Sequence, residues 1–217
     1  MTLIVTSDFE INRVAPPALP LATEAYSQTY QDQLNSVLRL YFNRLQGILG
    51  QLNTNSGIST VRFPYGAFSS GVDQSTTANT ATLMTLDTTD FSNDVSISSS
   101  KITVANAGIY NLQFSVQLEN NDNAPQDTFI WLKQNGVDIV GSTGKVGMPA
   151  RKSLGDPFHN IIGWNYFLSM TAGQYIEIYW STTSANVTIQ YYAASAAPTK
   201  PATQSVVATM TFVSALP

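Results

Sequence analysis

The sequence predicts a mainly β protein, an antiparallel β-sandwich preceded by an extended arm and one N-terminal helix. Three observations predict it. From residue 58 onward, short apolar runs recur with turn residues between them, about nine or ten of them, the pattern of a sandwich or barrel. Between residues 34 and 52 the apolar spacing is instead that of a helix. Cysteine is absent, so no disulfide framework can replace a packed core.

Hydrophobic residues make up 43% of the 217, enough for a real core. Charged residues are only 11%, against roughly 25% in ordinary soluble domains. Ser, Thr, Asn and Gln fill the polar positions. A neutral polar surface suits a large assembly, in which many like charges would repel. The net charge is −4 and no Lys/Arg cluster occurs, which argues against nucleic-acid binding and against an anionic membrane surface. No apolar run reaches the roughly 20 residues of a membrane-spanning helix, so no membrane insertion is expected. The first residues lack a basic segment and reach Asp8 early, which predicts synthesis in a cytoplasm without a signal peptide.

Residues 1–22 read as an anchoring arm. Pro16, Pro17 and Pro20 impose an extended path that buries nothing of its own, so a neighbouring subunit or another protein is expected to hold it. Thr23 is the expected N-cap of a helix over 23–53, with Glu24 in its first turn. Leu34, Leu38, Tyr41, Leu45, Ile48 and Leu52 are spaced 4, 3, 4, 3, 4, a heptad seam expected to oligomerise. Val37, Leu40, Phe42 and Leu49 widen the stripe, so packing on the chain's own head is the competing reading. The residues 53–57, Asn-Thr-Asn-Ser-Gly, end the helix and mark the domain boundary.

The head is expected over 58–217. Candidate strands lie at 58–63, 82–86, 95–97, 101–104, 109–118, 128–133, 137–140, 161–168, 175–180, 186–192 and 206–213. In 109–118 the even-numbered residues from Tyr110 to Leu118 form one apolar face. Asn135-Gly136 is a hairpin turn. Residues 87–94 read as a turn, 193–203 as an Ala/Pro loop, and 141–160 as a long loop holding the only histidine.

Several of these segments, taken in order, resemble the C1q/TNF-like jelly roll. They are Gly108-Ile109-Tyr110 running into Phe114, Trp131 to Gly136, Tyr166-Phe167-Leu168, the Ala172-Gly173-Gln174 turn before Tyr175-Ile176-Glu177-Ile178, and Met210 to Val213. The resemblance covers about residues 60–214. It departs at Gln174, where the family usually has Asp, and in having a short helix where C1q has collagen. It implies a homotrimer built on an aromatic-rich sheet, with Tyr110, Tyr166, Tyr175, Tyr179 and Tyr191 as candidates for that surface. A second resemblance, over about 15–50, is to the N-terminal segment of tailed-phage structural proteins. It rests on Pro17 to Leu21, Tyr30 to Asn35 and Leu38 to Asn43. It implies a virion protein, a capsid decoration or short fibre knob, whose partners are other virion proteins.

Catalytic signals are absent from the sequence. His159 stands alone, and there is no Gly-x-Ser-x-Gly elbow and no phosphate-binding Gly-Lys-Ser/Thr loop. The acids are scattered. Asp87, Asp90 and Asp94 form one acidic loop, and Asp122 and Asp127 with Asn120, Asn121 and Asn123 form another. Either offers oxygens for Ca²⁺, but EF-hand spacing is missing, so no cofactor is expected. The expectation is therefore a non-enzymatic structural protein. The alternative is a tail receptor-binding protein that recognises host glycan through residues 141–160.

Overall fold

The computed structural model describes residues 15–21, 24–53 and 63–216. The chain divides into two units, Met1–Arg62 and Phe63–Pro217.

In the first unit, residues 15–21 have no regular structure, and Pro16 is exposed while Pro17 and Pro20 are half-buried. Helix α1 spans Gln28–Asn53. It starts later than the sequence suggests, because the cap is Ser27. The Tyr30 amide donates to Ser27 Oγ at 3.3 Å and the Gln31 amide to the Ser27 carbonyl at 3.1 Å. Thr23 lies outside the described residues, and Glu24 precedes the helix. Leu34, Leu38, Tyr41, Leu45 and Ile48 are half-buried along one stripe, while Leu40, Phe42 and Leu49 are each more than half exposed. The side chain of Leu52 lies outside the description.

The second unit holds β1 (Tyr65–Ser70), β2 (Thr82–Leu83), β3 (Thr88–Asn93), β4 (Val95–Ser98), β5 (Lys101–Val104), β6 (Gly108–Asn120), β7 (Gln126–Gln134) and β8 (Val137–Asp138). It continues with β9 (Gly144–Met148), β10 (Phe158–Met170), β11 (Tyr175–Thr182), β12 (Val187–Ile189), β13 (Ser195–Ala196), β14 (Thr199–Lys200) and β15 (Val206–Ser214). Two large antiparallel sheets form a sandwich. The first runs β10-β6-β15-β1-β3, with β12 added to β6. The second runs β4-β5-β11-β7-β8, with β2 on β11 and β9 on β7. A small β13–β14 ladder stands apart.

The core is the meeting of the two inner faces. Tyr110, Leu112, Phe114, Val116 and Leu118 come from β6, Ile130 and Leu132 from β7, and Ile176, Ile178 and Trp180 from β11. Strict alternation put them there, since neighbours along a strand point to opposite faces. The Asn135-Gly136 turn has both residues at positive φ (51° and 81°), the geometry of a two-residue hairpin.

Five sequence expectations change. Of the expected strand at 58–63, residues 58–62 lie outside the description and Phe63 is not in a strand. The first strand begins at Tyr65. The supposed turn at 87–94 contains β3. This is an edge strand on β1 whose first five residues are all exposed, so it carries the polar composition of a turn. Residues 141–160 include β9 and the start of β10, and the loop at 193–203 contains β13 and β14. The expected strand at 82–86 shrinks to β2.

Candidate assembly surfaces

The outer face of the first sheet is built by β10, β6 and β15, which lie side by side. The even-numbered residues of β6 point inward, so its odd-numbered residues point out. The register sets Gly163 beside Ser115 and Ser115 beside Val207. The next row is Asn165, Gln113 and Thr209, and the next Phe167, Asn111 and Thr211. Ile161, Phe167 and Val207 are 65%, 64% and 38% exposed on this face. Gly163 contributes no side chain. The resulting depression, about 460 Å³, is lined by Gln113, Ser115, Asn165, Val207 and Thr209. A Cβ at Gly163 would lie 3.2 Å from the Phe114 carbonyl oxygen, so the strands approach closely there. Near the far edge, the exposed rings of Tyr65 and Phe91 sit 6.1 Å apart. No strand of this sheet carries Lys or Arg. Its acids are Asp90 and Glu119.

Glu119 stands at one end of that face, opposite His159 in the β6–β10 register. His159 is thus on a strand, not in a loop as the sequence suggested. The Tyr192 hydroxyl donates to Glu119 Oε2 at 3.0 Å and lies 2.8 Å from His159 Nδ1. The Asn121 side-chain amide donates to the other carboxylate oxygen, Oε1. His159 Nδ1 is 3.5 Å from Glu119 Oε2. Burial, and then the hydrogen bond to Glu119, hold the Tyr192 phenol well above its usual value. Tyr192 begins an excursion of the chain. The Gln190 amide donates to the Gln117 carbonyl, and the Gln117 amide donates to Ser205. Residues 191–204 therefore leave the sheet and return beside the point of departure.

The outer face of the second sheet is different. Its strands carry Lys101, Lys133 and Lys145 against Asp127, Asp138 and Glu177. Each lysine has an aromatic ring and an acid. Lys101 lies 4.4 Å from the Tyr175 ring centre and 4.0 Å from Glu177. Lys133 lies 4.4 Å from the Tyr179 ring and 3.5 Å from Asp138. Lys145 lies 5.8 Å from the Phe129 ring and 2.8 Å from Asp127. Trp131 packs at 5.9 Å on Tyr179 and donates its indole N–H to Asp138 at 2.8 Å. All four rings are half-buried.

The five tyrosines singled out from the resemblance do not share a surface. Tyr110 is fully buried in the core and donates to the Asn106 carbonyl. Burial and then Asp94 push its phenol up to about 12. Tyr166 packs against the core from the inner side of the first sheet and donates to the Ser142 carbonyl at 2.7 Å. Tyr175 and Tyr179 belong to the outer face of the second sheet. Tyr191 follows β12, its amide bound to Asp73. The apolar side chains that do share a face, Ile161, Phe167 and Val207, were not singled out. Their signal was present in the doublets Ile161-Ile162, Phe167-Leu168 and Val206-Val207, where both faces of a strand are apolar.

Of the tryptophans, Trp180 is core and Trp164 packs against it, while Trp131 lies on an outer face. The Asp122 carboxylate receives Ser184 Oγ at 2.7 Å, Gln126 Nε2 at 3.0 Å and Asn186 Nδ2 at 3.4 Å. A carboxylate ringed by donors is committed to loop structure. Among the described residues no three His, Cys, Asp or Glu side chains are grouped to hold a metal. No family model matches the chain, and no curated protein matches it.

Proposed function

We propose that the chain is a non-enzymatic bacteriophage virion structural protein, a homotrimeric capsid decoration or short fibre knob held by its N-terminal arm and helix. The observation that carries the reading is the outer face of the first sheet. It presents Ile161, Phe167 and Val207 on strands without a single Lys or Arg. Exposed apolar side chains on a sheet face without lysine or arginine mark a contact between proteins. The strand order β10-β6-β15-β1-β3 facing β4-β5-β11-β7 supports the C1q/TNF-like jelly roll, and with it the trimer. The heptad row of α1 supports self-association independently. Phe42 and Leu49 widen its apolar arc beyond a two-stranded seam, leaving surface for other virion proteins.

Native mass spectrometry of the full chain tests the oligomer. Three copies are expected, and a monomer at micromolar concentration overturns the reading. Localisation in a purified particle tests the virion assignment, and absence from particles removes it. A second reading, a tail receptor-binding head for host glycan, is favoured by Trp131 and Tyr179 lying paired on an outward face. Trp131→Ala is then expected to abolish glycan-array binding; an array without hits removes that reading.

A further inference from the structure

We infer that self-association through the outer face of the first sheet takes up protons at the Glu119–Tyr192–His159 cluster, so that the oligomer is tighter at mildly acidic pH than at alkaline pH. This rests on the reading of that face as a contact between copies. His159 and Glu119 form the row beside Ile161 and Gln117, so a copy seated on the exposed Ile161 reaches the cluster.

The hydrogen-bond order follows from counting protons. A phenol has one, and Tyr192 gives it to Glu119. Its oxygen must then accept from His159 Nδ1, 2.8 Å away. Nδ1 therefore carries a hydrogen, and the His159 side chain is half-exposed. Glu119 is already 9% exposed. A second copy over this face removes the remaining water, and a buried carboxylate without a cation is costly. Among the described residues, the charged groups on the surrounding elements do not supply one. Asp73 is an acid bound to the Tyr191 amide. Lys200 donates to the Ala193 carbonyl and lies 5.6 Å from the Tyr192 ring centre. Arg151 donates to the Asn121 carbonyl. That leaves the imidazolium of His159, 3.5 Å from the carboxylate. The covered state thus binds more protons than the free state, and association weakens as pH rises. Imidazole is the side chain whose ordinary charge change falls between about pH 5 and 8. One proton per subunit corresponds to at most about a tenfold change in the association constant, per subunit and per pH unit.

Sedimentation equilibrium of the full chain between about pH 5.5 and 8.5 tests this. The wild type is expected to weaken steadily with pH, up to the tenfold slope. His159→Asn, which keeps a donor but cannot charge, is expected to associate with a flat profile, and Glu119→Gln, which removes the carboxylate, to lose most of the slope. An oligomer whose constant does not move with pH overturns the inference while leaving the contact intact, as does a slope that survives in His159→Asn. A monomer at every pH overturns the contact itself and the inference with it.

Discussion

The two outer faces of the sandwich come from the same kind of strand, with inward residues equally apolar, yet they are finished in opposite ways. On the second sheet every lysine covers a ring and meets an acid, so the aromatic surface is screened from other proteins by charge. On the first sheet the outward residues of β10, β6 and β15 are amides, hydroxyls and bare hydrocarbon, apart from the Glu119–His159 pair at one end. Edge and surface lysines are a common device against unwanted pairing. Here the device is applied to one side only. The side that lacks it is the side proposed to make contact.

The largest effect that would break this comparison comes from placing charge on the undressed face. Ile161→Asp with Phe167→Asp leaves the inward residues untouched. It is expected to lower the association constant by about a thousandfold, from about 4 kcal/mol for unpaired charges buried at a contact. Sedimentation would read the loss, and an unchanged circular dichroism spectrum would show the fold intact. An oligomer that survives the double variant would remove the distinction between the faces. A smaller effect is expected from undressing the second sheet. Lys133→Ala loses one cation–π contact and one half-exposed ion pair, worth about 0.5–1 kcal/mol of stability in urea, and should leave the number of subunits unchanged. A change in subunit number on Lys133→Ala would mean that both faces make contacts.

The smallest effect lies at the end of the sandwich. Asp122 is held below its usual value, chiefly by the Ser184 hydroxyl. Its contribution is present above the ordinary aspartate value of 3.8 and is lost as pH falls through the lower folded value. Nuclear magnetic resonance should show the loops at Gln126 and Asn186 loosening in acid before either face changes. Loops that stay fixed down to about pH 2 would show that the carboxylate is not what ties them.

The dressed and undressed faces were not equally legible in the sequence. Strands β6, β7 and β11 announce themselves because one face is dry and the other wet, and alternation is the direct record of that difference. The helix seam is legible for the same reason at a different period. Strand β3 was hidden because both its faces are wet, and β1 because five successive residues are buried, so neither alternates. The candidate surface was hidden by the same physics. A side chain such as Phe167 that remains exposed in one copy looks, in a linear sequence, like any other core aromatic. Only the register, which sets it beside Asn111 and Thr211, shows which way it faces. His159 reads as a loop residue because a Gly/Pro-rich stretch precedes it, although the strand begins at Phe158.

The head begins and ends at one corner. The Phe212 amide donates to the Pro64 carbonyl at 2.9 Å, and the Phe63 and Phe212 rings stack 5.9 Å apart. Tension applied through the two ends would therefore load the β1–β15 corner and spare the ladder between β6 and β10. The same closeness makes the head a cassette. Joining its ends with a short linker and opening the chain within the exposed 193–202 excursion would give a permuted order of strands on an unaltered sandwich.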